Sequence, residues 1–495
     1  MEELSQLLKV RREKLQAIRE AGVNPYPYSF ERTHKASQIF DGFDSFTENE
    51  TVALAGRISA IRKMGKASFC HITDDSGKIQ LYIARDIIGV ENYQIFKKLD
   101  IGDFLGVKGY VFKTKTGETS IHADSIELLS KNIRPLPIVK EKDGVLYDAF
   151  ADKELRYRKR YLDLIVNPEV KKTFITRSKI ISALRKFLDQ NEFLEVETPI
   201  LQPIYGGAAA RPFETHHNTL DMKLYLRIAD ELYLKRLIIG GFEKVYEVCK
   251  NFRNEGMDKT HNPEFTAVEF YWAYADYNQA MDFVEELIRF VADEAVGTQK
   301  FHFRGFDVDF SQKFARESMS DLVKKHGNFE ILDATEEELY AFCKSKNIEV
   351  EKGLNYGQLV DEIFSEVVEP HLIQPTFVIE YPKAISPLAK THRNGDDRIV
   401  ERYELFIAGK EFANCFSELN DPIDQRNRLE EQSKLRDAGD EEAHPVDEDF
   451  LEAMEYGMPP TAGVGIGLDR LIMLMTNNDS IKDILLFPQM RPSNE

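Results

Sequence analysis

Short segments in which apolar and polar residues alternate, between Thr51 and Lys142, restrict the possible folds more than any other feature of the sequence. Examples are TVALAGRISAIR, ASFCHITDDSGKIQLYIAR and DFLGVKGYVFKTKTGETSIHADSIELLS. Such alternation is typical of strands with one buried face, and Asp75-Ser76-Gly77 and Thr116-Gly117 are turn signals between strands. About five strands in about ninety residues, ending at the prolines of NIRPLP, predict a small β-barrel of the OB type over residues 51–142.

The predicted barrel also differs from the rest of the chain in charge. Residues 51–142 contain 15 Lys and Arg residues against 10 Asp and Glu residues, whereas the whole chain has a formal net charge of −19. The overall charge argues against a protein that coats nucleic acid broadly. A basic module attached to an acidic body can nevertheless bind RNA locally.

Composition excludes several other classes of protein. No apolar run reaches membrane-spanning length, and the segment MEELSQLLKVRREKLQAIRE is too charged for a signal peptide. We therefore expect a cytoplasmic protein with no membrane partner. The cysteines occur singly and without a CxxC pair, which argues against a zinc site or a disulfide framework and predicts buried free thiols.

The rest of the chain predicts a larger domain in which helices and strands are mixed. At 495 residues the chain is long enough for roughly two to four domains. We expect a helical extension over residues 1–50, a linker over 143–165 and an α+β domain over 166–495, with a mostly helical insertion over about 277–370. The segment DKELRYRKRYLDLIVN would either face RNA or form an exposed amphipathic helix, and its composition favours neither.

Charged residues are unusually dense in NFRNEGMDKTHNPEFTAVEFY, residues 251–271. We predict two strands joined by a turn, with Arg253 and Glu255 on one face of the first strand. One face of the second strand would carry Phe265, Ala267, Glu269 and Tyr271. A guanidinium, the loop cations Lys259 and His261, and an aromatic plate are what a bound nucleotide needs. A solvated charged surface explains the same residues about equally well.

A second cluster lies in RYELFIAGKEFANCFSELND. Glu404 and Glu411 flank a predicted turn at Gly409, and two carboxylates beside a phosphate-binding surface are natural ligands for Mg²⁺. Residues at i, i+2 and i+4 of the following strand project from one face, and these are Asn414, Phe416 and Glu418. Taken alone, this segment also fits an ordinary acidic hairpin.

A third cluster is GVGIGLDRLIM, in which glycine alternates at Gly463, Gly465 and Gly467. Glycine allows the backbone to approach a ligand closely, and Arg470 would lie in the first turn of the helix that follows. The pattern alone is weak, because it is neither a Rossmann fingerprint nor a P-loop.

Together and in this order, these segments resemble the three signature motifs of class II aminoacyl-tRNA synthetases. FLEVETPIL is similar to motif 1, FRNEG with HNPEF to motif 2, and GVGIGLDR to motif 3, whereas the HIGH and KMSKS sequences of class I enzymes are absent. Segments such as RYRKRYLDL, GGAAARPFETHHN and PPTAGVGIGLDRL resemble the bacterial-type lysyl-tRNA synthetase family. The resemblance runs from about Leu54 onward. It implies an α+β protein, with an OB-fold barrel that binds the anticodon and an antiparallel-sheet catalytic domain, that forms a homodimer.

The resemblance also implies a two-step reaction. ATP would activate L-lysine to lysyl-adenylate with release of pyrophosphate, and the lysyl group would then pass to the 3′ end of tRNA(Lys). Such an attack on the α-phosphorus is catalysed mainly by positioning and charge neutralisation. The alternative is a paralogue that is catalytically silent or that modifies a protein. Such relatives lack the barrel or lose Arg253, Glu411 or Arg470, all of which this chain retains.

Residue roles follow from the resemblance position by position. The catalytic arginines would be Arg253 and Arg470. The ATP site would contain Arg253, Glu255, His261, Asn262, Phe265 and Arg470. L-Lysine would be bound by Gly207, Glu231, Arg253, Glu269, Tyr271, Asn414, Phe416 and Glu418. Glu404 and Glu411 would hold Mg²⁺, and Phe69 and Gln80 would contact the anticodon. Thr260 and Cys415 depart from the pattern, because other members carry Arg and Gly there.

Overall fold

A computed structural model describes residues 2–137, 140–142, 145–147, 150–437 and 443–492. The chain divides into two compact units, Met1–Asp152 and Lys153–Glu495. The expected linker, 143–165, lies partly outside the described residues, and the detailed division into domains stays a prediction. No described helix is both long and apolar enough to cross a membrane.

The first unit contains a barrel together with helices of different lengths. Its helices are α1 (Glu2–Glu20), α2 (Ala36–Asp41), α3 (Arg85–Ile88) and α4 (Val90–Lys98). Its strands are β1 (Thr51–Met64), β2 (Ala67–Thr73), β3 (Lys78–Ala84), β4 (Phe104–Lys113), β5 (Thr119–Ser130), β6 (Lys140–Lys142) and β7 (Val145–Tyr147).

The predicted barrel is confirmed. Strands β1 to β5 close in the order β1-β2-β3-β5-β4, with β3 and β5 parallel and the other pairs antiparallel. Alternate residues of each strand fill the interior, which explains the alternating sequence pattern. Cys70, Ile72, Ile79 and Leu81 are examples, each almost fully buried.

The second unit combines a large sheet with helices on its flanks. Its helices are α5 (Lys153–Arg158), α6 (Arg160–Val166), α7 (Glu169–Gln190), α8 (Glu231–Ile239), α9 (Tyr277–Ala295), α10 (Met319–Gly327), α11 (Glu336–Lys346), α12 (Tyr356–Val367), α13 (Pro422–Asp437), α14 (Glu448–Glu455), α15 (Leu468–Met475) and α16 (Ile481–Ile484). Its strands are β8 (Leu194–Glu195), β9 (Leu201–Gln202), β10 (Glu214–His217), β11 (Met222–Leu226), β12 (Lys244–Phe252), β13 (Glu264–Ala273), β14 (Lys300–Phe303), β15 (Phe306–Asp309), β16 (Ala315–Ser318), β17 (Thr376–Ile379), β18 (Arg402–Ile407), β19 (Lys410–Ser417) and β20 (Thr461–Gly467).

An eight-stranded sheet forms the centre of the second unit, in the order β16-β17-β18-β19-β20-β13-β12-β8. The pairs β16–β17 and β8–β12 are parallel and all others are antiparallel. One face of the sheet packs against α7, α9 and α15 in the main hydrophobic core. The antiparallel α+β architecture expected for this part of the chain is therefore confirmed.

The range 277–370, expected to be mostly helical, contains α9 to α12 and also β14 to β16. Helix α9 belongs to the main core, where Met281, Val284 and Leu287 are fully buried, whereas α10, α11 and α12 surround a separate apolar cluster. The helices of this range therefore pack into two separate apolar clusters.

The structure also shows the environment of the cysteines and of the basic segment around Arg160. All four cysteines are free and buried, as predicted. In the segment that would either face RNA or stay exposed, Arg160 is instead buried, and its guanidinium binds Asp163 and the carbonyl oxygens of Lys482 and Leu485. Hydrogen bonds from this arginine therefore connect α6 to the C-terminal part of the unit.

Candidate active site

A cavity of about 580 Å³ opens on the face of the eight-stranded sheet that is turned away from the main core. Alternation along each strand produces this division. In β13, Val268 and Phe270 pack in the core, whereas Glu269 and Tyr271 line the cavity. Cys415 of β19 likewise faces the core, so this departure from the family pattern lies on the opposite side of the sheet from the cavity.

Strand register arranges the cavity residues in two rows across β13, β20, β19 and β18. The first row consists of Glu269, Gly465, Asn414 and Glu404. The second row consists of Tyr271, Gly463, Phe416 and Arg402. Since paired residues point to the same face of a sheet, side chains from three distant parts of the sequence meet on one surface.

Glycine is required at two positions of the cavity wall. A Cβ atom at Gly463 would overlap the Glu418 carboxylate and the Tyr271 ring. Gly207 has φ +85°, and a Cβ atom there would lie 2.9 Å from Cβ of Glu231. Both glycines therefore leave room for side chains that approach from other elements.

Every residue predicted to contact ATP, lysine or metal lines this one cavity. The set is Gly207, Glu231, Arg253, Glu255, His261, Asn262, Phe265, Glu269, Tyr271, Glu404, Glu411, Asn414, Phe416, Glu418 and Arg470. The structure thus brings together residues that the sequence spreads over more than 260 positions.

One local expectation is wrong. Strand β12 ends at Phe252, so Arg253 and Glu255 lie in the following loop and do not share a strand face. The backbone N–H of Arg253 still donates to the carbonyl oxygen of Pro263, and the next N–H, that of Asn254, donates instead to the carbonyl oxygen of Arg211. The Arg253 guanidinium lies 5.1 Å from the centre of the Phe265 ring, and its Nε has no hydrogen-bond partner among the described residues.

The loop before β13 approaches the start of α15. Arg470 donates to the carbonyl oxygen of Glu411 at 2.7 Å and to Oε2 of Glu411 at 3.2 Å, and Nη2 of Arg470 lies 3.3 Å from Nε2 of His261. Although burial opposes it, hydrogen bonds from His261 and from the Thr260 N–H lower the pKa of Asp258. This charged loop therefore holds His261 beside Arg470.

Glu404 is tightly oriented by its neighbours. Arg402 donates to Oε1 of Glu404 at 2.6 Å, and the Tyr381 hydroxyl donates to Oε2 at 2.9 Å. Burial raises the pKa of Glu404 to about 7, and the nearby carboxylate of Glu411 adds to this rise. Two carboxylates that repel each other at one cavity wall are a suitable donor pair for a divalent cation.

Three further carboxylates surround the opposite part of the cavity. Glu231 opens α8, Glu418 follows β19, and Glu269 lies on β13, where its Oε2 accepts a hydrogen bond from the Tyr271 hydroxyl at 3.3 Å. Burial raises the pKa of Glu418 to about 8 and that of Glu269 well above its usual range. A buried site that is this rich in carboxylates favours a cationic ligand.

Sequence reasoning missed four residues at this site. Lys235 is fully buried and pairs with Glu231 and Glu418. Arg402 binds Glu404 and lies 4.5 Å from the Tyr381 ring centre. Asp230 and His444 are buried beside the acidic wall. The i, i+4 spacing of Glu231 and Lys235 was the available signal, but such pairs usually lie on exposed helix faces.

Phe69 and Gln80, predicted to contact an anticodon, lie in the first unit on neighbouring strands of the barrel. The Phe69 ring lies 5.4 Å from the Tyr82 ring, which is also 5.3 Å from the His122 ring. Gln80 donates to Glu118 at 2.8 Å and accepts from Ser120 at 3.0 Å. This half-buried aromatic surface suits stacking with unpaired bases.

Comparison with known families agrees with this geometry. The family described as tRNA synthetases class II (D, K and N) matches residues 152–491. The chain belongs to the class II tRNA synthetases. The family described as OB-fold nucleic acid binding domain matches residues 52–129 of the same synthetase.

The relatives that match this synthetase over nearly its whole length are lysine–tRNA ligases. The lysine–tRNA ligase of Pelotomaculum thermopropionicum is 55% identical, over 99% of this chain and 96% of its own length. The lysine–tRNA ligase of Carboxydothermus hydrogenoformans is 53% identical, over 99% of both chains. The lysine–tRNA ligase of Christiangramia forsetii is 52% identical, over 100% of this chain and 88% of its own length.

Proposed function

We propose that this synthetase is a lysine–tRNA ligase, which activates L-lysine with ATP and transfers the lysyl group to the 3′ end of tRNA(Lys). The observation that carries the proposal is the convergence of Glu231, Glu269 and Glu418 on one part of the cavity. Aspartate and asparagine have no cationic side chain to pair with such a wall. The shared name of the relatives supports the same choice.

The acidic wall would distinguish lysine by both of its ammonium groups. Glu231 and the backbone at Gly207 would bind the α-ammonium, and Glu269, Tyr271 and Glu418 would bind the ε-ammonium. Asn414 and Phe416 would flank the side chain. A buried ammonium must be paired with charge and hydrogen bonds. The same wall disfavours any amino acid that would leave these carboxylates unpaired.

The other part of the cavity would hold ATP. Phe265 offers a stacking surface for adenine, with Glu255 and Asn262 nearby. Arg253 would contact both the lysine carboxylate and the α-phosphate. Its Nε has no hydrogen-bond partner among the described residues and could therefore donate to an anion. Arg470, with His261, would hold the far end of the triphosphate.

The first chemical step would then need no nucleophilic side chain. A lysine carboxylate oxygen would form a bond to the α-phosphorus while the bond to the bridging oxygen breaks and pyrophosphate leaves. Arg253 would neutralise charge that develops on the α-phosphate, and Arg470 would orient the leaving group.

Glu404 and Glu411 are the residues that would hold Mg²⁺. They fit this role because they line the same cavity wall and Glu411 raises the pKa of Glu404, a repulsion that a divalent cation relieves. Bound Mg²⁺ supplies positive charge that offsets the charge of the phosphates. Hydrogen bonds from Arg402 and Tyr381 fix the orientation of the Glu404 carboxylate.

The proposal extends to the tRNA, to a second copy of the chain and to the cellular location. Residues 51–142 would bind the anticodon of tRNA(Lys) through Phe69 and Gln80, beside the Tyr82 and His122 rings. The catalytic unit would act as a homodimer, as the motif 1 resemblance implies. The enzyme would work in the cytoplasm.

Amino-acid-dependent ATP–pyrophosphate exchange without tRNA tests the proposal. We expect exchange with lysine and much weaker exchange with arginine, ornithine, aspartate or asparagine. Charging of tRNA(Lys) would then identify the acceptor. Absence of exchange with every amino acid, from folded protein with Mg²⁺ present, would instead indicate a catalytically silent relative.

A further inference from the structure

A lysine of the protein itself occupies the acidic part of the cavity wall. Lys235 lies on α8, one turn after Glu231, and its side chain is fully buried. Its Nζ lies 2.5 Å from Oε1 of Glu231 and 2.5 Å from Oε2 of Glu418. The protein thus places its own ammonium group between carboxylates proposed to bind the two ends of the substrate.

We propose that Lys235 is a positioning residue for the amino-acid substrate: its ammonium group links Glu231 to Glu418 and offsets part of the negative charge of the pocket. This inference rests on the proposed function, because it assumes a ligand with two ammonium groups. Lys235 does not touch the reacting atoms. It acts through the two carboxylates.

The charge of the pocket supports this role. Glu231, Glu269 and Glu418 line the acidic part of the cavity, and Asp230 is buried beside Glu269. Bound lysine would bring only two ammonium groups, and Lys235 supplies a further one. Without Lys235, Glu231 and Glu418 would lose their direct counter-charge, which is strongly unfavourable in a poorly solvated site. The substrate carboxylate would be matched separately by Arg253.

Glu418 keeps unused bonding capacity. Lys235 donates a hydrogen bond to Glu231 on its own helix. Its Nζ also lies 2.5 Å from Oε2 of Glu418, whereas Oε1 of Glu418 has no hydrogen-bond partner among the described residues. Lys235 therefore engages one oxygen of Glu418 and leaves Oε1 available to a substrate ammonium group.

Groups on every neighbouring element influence this cluster. The charged or titratable side chains facing it are Asp230, Glu269, Tyr271, Arg402 and His444. Burial and Lys235 lower the pKa of His444 to about 4, so His444 is neutral at physiological pH. Although burial opposes it, Glu231 and Glu418 raise the pKa of Lys235, so Lys235 stays protonated.

The sign of the pH effect follows from these groups. Burial raises the pKa of Glu231 and of Glu418, and the Lys235 ammonium opposes both rises. Removal of that ammonium would raise both pKa values further. Deprotonated carboxylates are needed to bind lysine, so the acidic limb of the pH profile for lysine would move to higher pH.

The test compares Lys235→Met with wild-type protein in lysine-dependent ATP–pyrophosphate exchange without tRNA, from about pH 6 to about pH 9.5. We expect the KM for lysine to rise at least about tenfold at pH 7.5, with a smaller change in kcat and in the KM for ATP. The acidic limb of kcat/KM for lysine should shift upward by about one pH unit or more. Lys235→Arg, which keeps the charge, should restore the position of the limb.

Lys131→Met is the matched control, since Lys131 is also a fully buried lysine paired with two carboxylates, but in the first unit. It should leave the lysine KM and the pH profile unchanged. Lys235→Gln removes the same charge and serves the same comparison should the Met variant not fold.

Two results would overturn the inference alone. One is a Lys235→Met enzyme with the wild-type lysine KM. The other is a uniform loss of kcat/KM at every pH with no movement of the limb, which is what a purely structural ion pair predicts. No lysine-dependent exchange by the wild-type protein would instead overturn the proposed function and this inference together.

Discussion

Two buried lysines, one in each unit, have the same kind of partners and different surroundings. In the barrel unit, Lys131 donates to Asp100 at 2.7 Å and to both oxygens of Asp103 at 3.0 Å. Asp103 also accepts from the backbone N–H groups of Asp100 and Asn132, and Asp100 accepts from Lys14. In the catalytic unit, Lys235 lies between Glu231 and Glu418, but Oε1 of Glu418 has no hydrogen-bond partner among the described residues.

The difference distinguishes a structural cluster from a binding cluster. A buried ion pair is tolerated when the remaining lone pairs are satisfied, as they are around Lys131. A buried carboxylate that is ion-paired through one oxygen and has no partner at the other is favourable only if another group binds there. The cluster around Lys131 is complete within the protein, whereas the proposed ligand would complete the cluster around Lys235.

Glu418→Gln should give the largest effect, because it removes both the partner of Lys235 and the proposed ligand of the ε-ammonium. We expect kcat/KM for lysine in ATP–pyrophosphate exchange to fall on the order of 10³-fold. Asp100→Asn makes the same chemical change beside Lys131 and should leave this exchange unaltered. A fall of less than about tenfold would show that Glu418 is not a lysine ligand.

Asp103→Asn should break the barrel cluster. It leaves Lys131 with one carboxylate fewer in a fully buried position, and we expect the local free energy of unfolding to fall by about 3 kcal/mol. Amide hydrogen exchange of β4 and β5 would report this loss, while lysine-dependent exchange without tRNA should stay at the wild-type rate. Unchanged protection of both strands would mean that the cluster around Lys131 contributes little to stability.

Gly463→Ala should disturb the cluster around Lys235 without changing the charge of that cluster. The new Cβ atom would overlap the Glu418 carboxylate and the Tyr271 ring. Overpacking of this kind costs about 1–3 kcal/mol, or about 5- to 150-fold in kcat/KM for lysine. Gly465→Ala is the matched variant, because its Cβ atom would lie at an ordinary 3.7 Å from Cγ of Glu269. Equal losses in the two variants would contradict the steric explanation.

The smallest expected effect is a difference between the two units in how their stability depends on pH. Burial raises the pKa of Glu418 to about 8 and of Glu404 to about 7, so their contribution to stability is complete below about pH 4.3 and is lost as the pH rises through 7 and 8. In the barrel, although burial opposes it, hydrogen bonds from Lys131 and Lys14 lower the pKa of Asp100, whereas burial raises the pKa of Asp103, so the two shifts have opposite signs.

Thermal unfolding of the ligand-free protein therefore has a predicted direction. Between about pH 5 and pH 8 the midpoint temperature for unfolding of the catalytic unit should fall by about a few °C, whereas the midpoint temperature of the barrel should change less. Saturating lysine should stabilise the catalytic unit most at the higher pH, where the carboxylates are deprotonated. An unfolding midpoint of the catalytic unit that rises with pH would contradict the raised pKa values of Glu404 and Glu418.

Much of the fold was readable from local pattern. Alternation between Thr51 and Lys142 predicted the barrel, and alternation in β13 and β19 indicated which side chains share a face. The family resemblance then predicted, as a set, the residues that line one cavity. Local pattern failed where the chain leaves the sheet, as at Arg253, because the bond from Asn254 to the carbonyl oxygen of Arg211 is a long-range contact.

Side-chain periodicity is a property of the backbone, so local sequence is enough to predict most strands, which of their residues share a face, and the order of the motifs. Long-range contacts alone bring Glu269, Asn414 and Glu404 into one row, direct Arg402 toward Glu404 and place Lys235 beside Glu418. These depend on strand register and on burial. Burial then changes the energy of each charge, since a Glu–Lys pair that would matter little in water becomes decisive when both partners are removed from solvent.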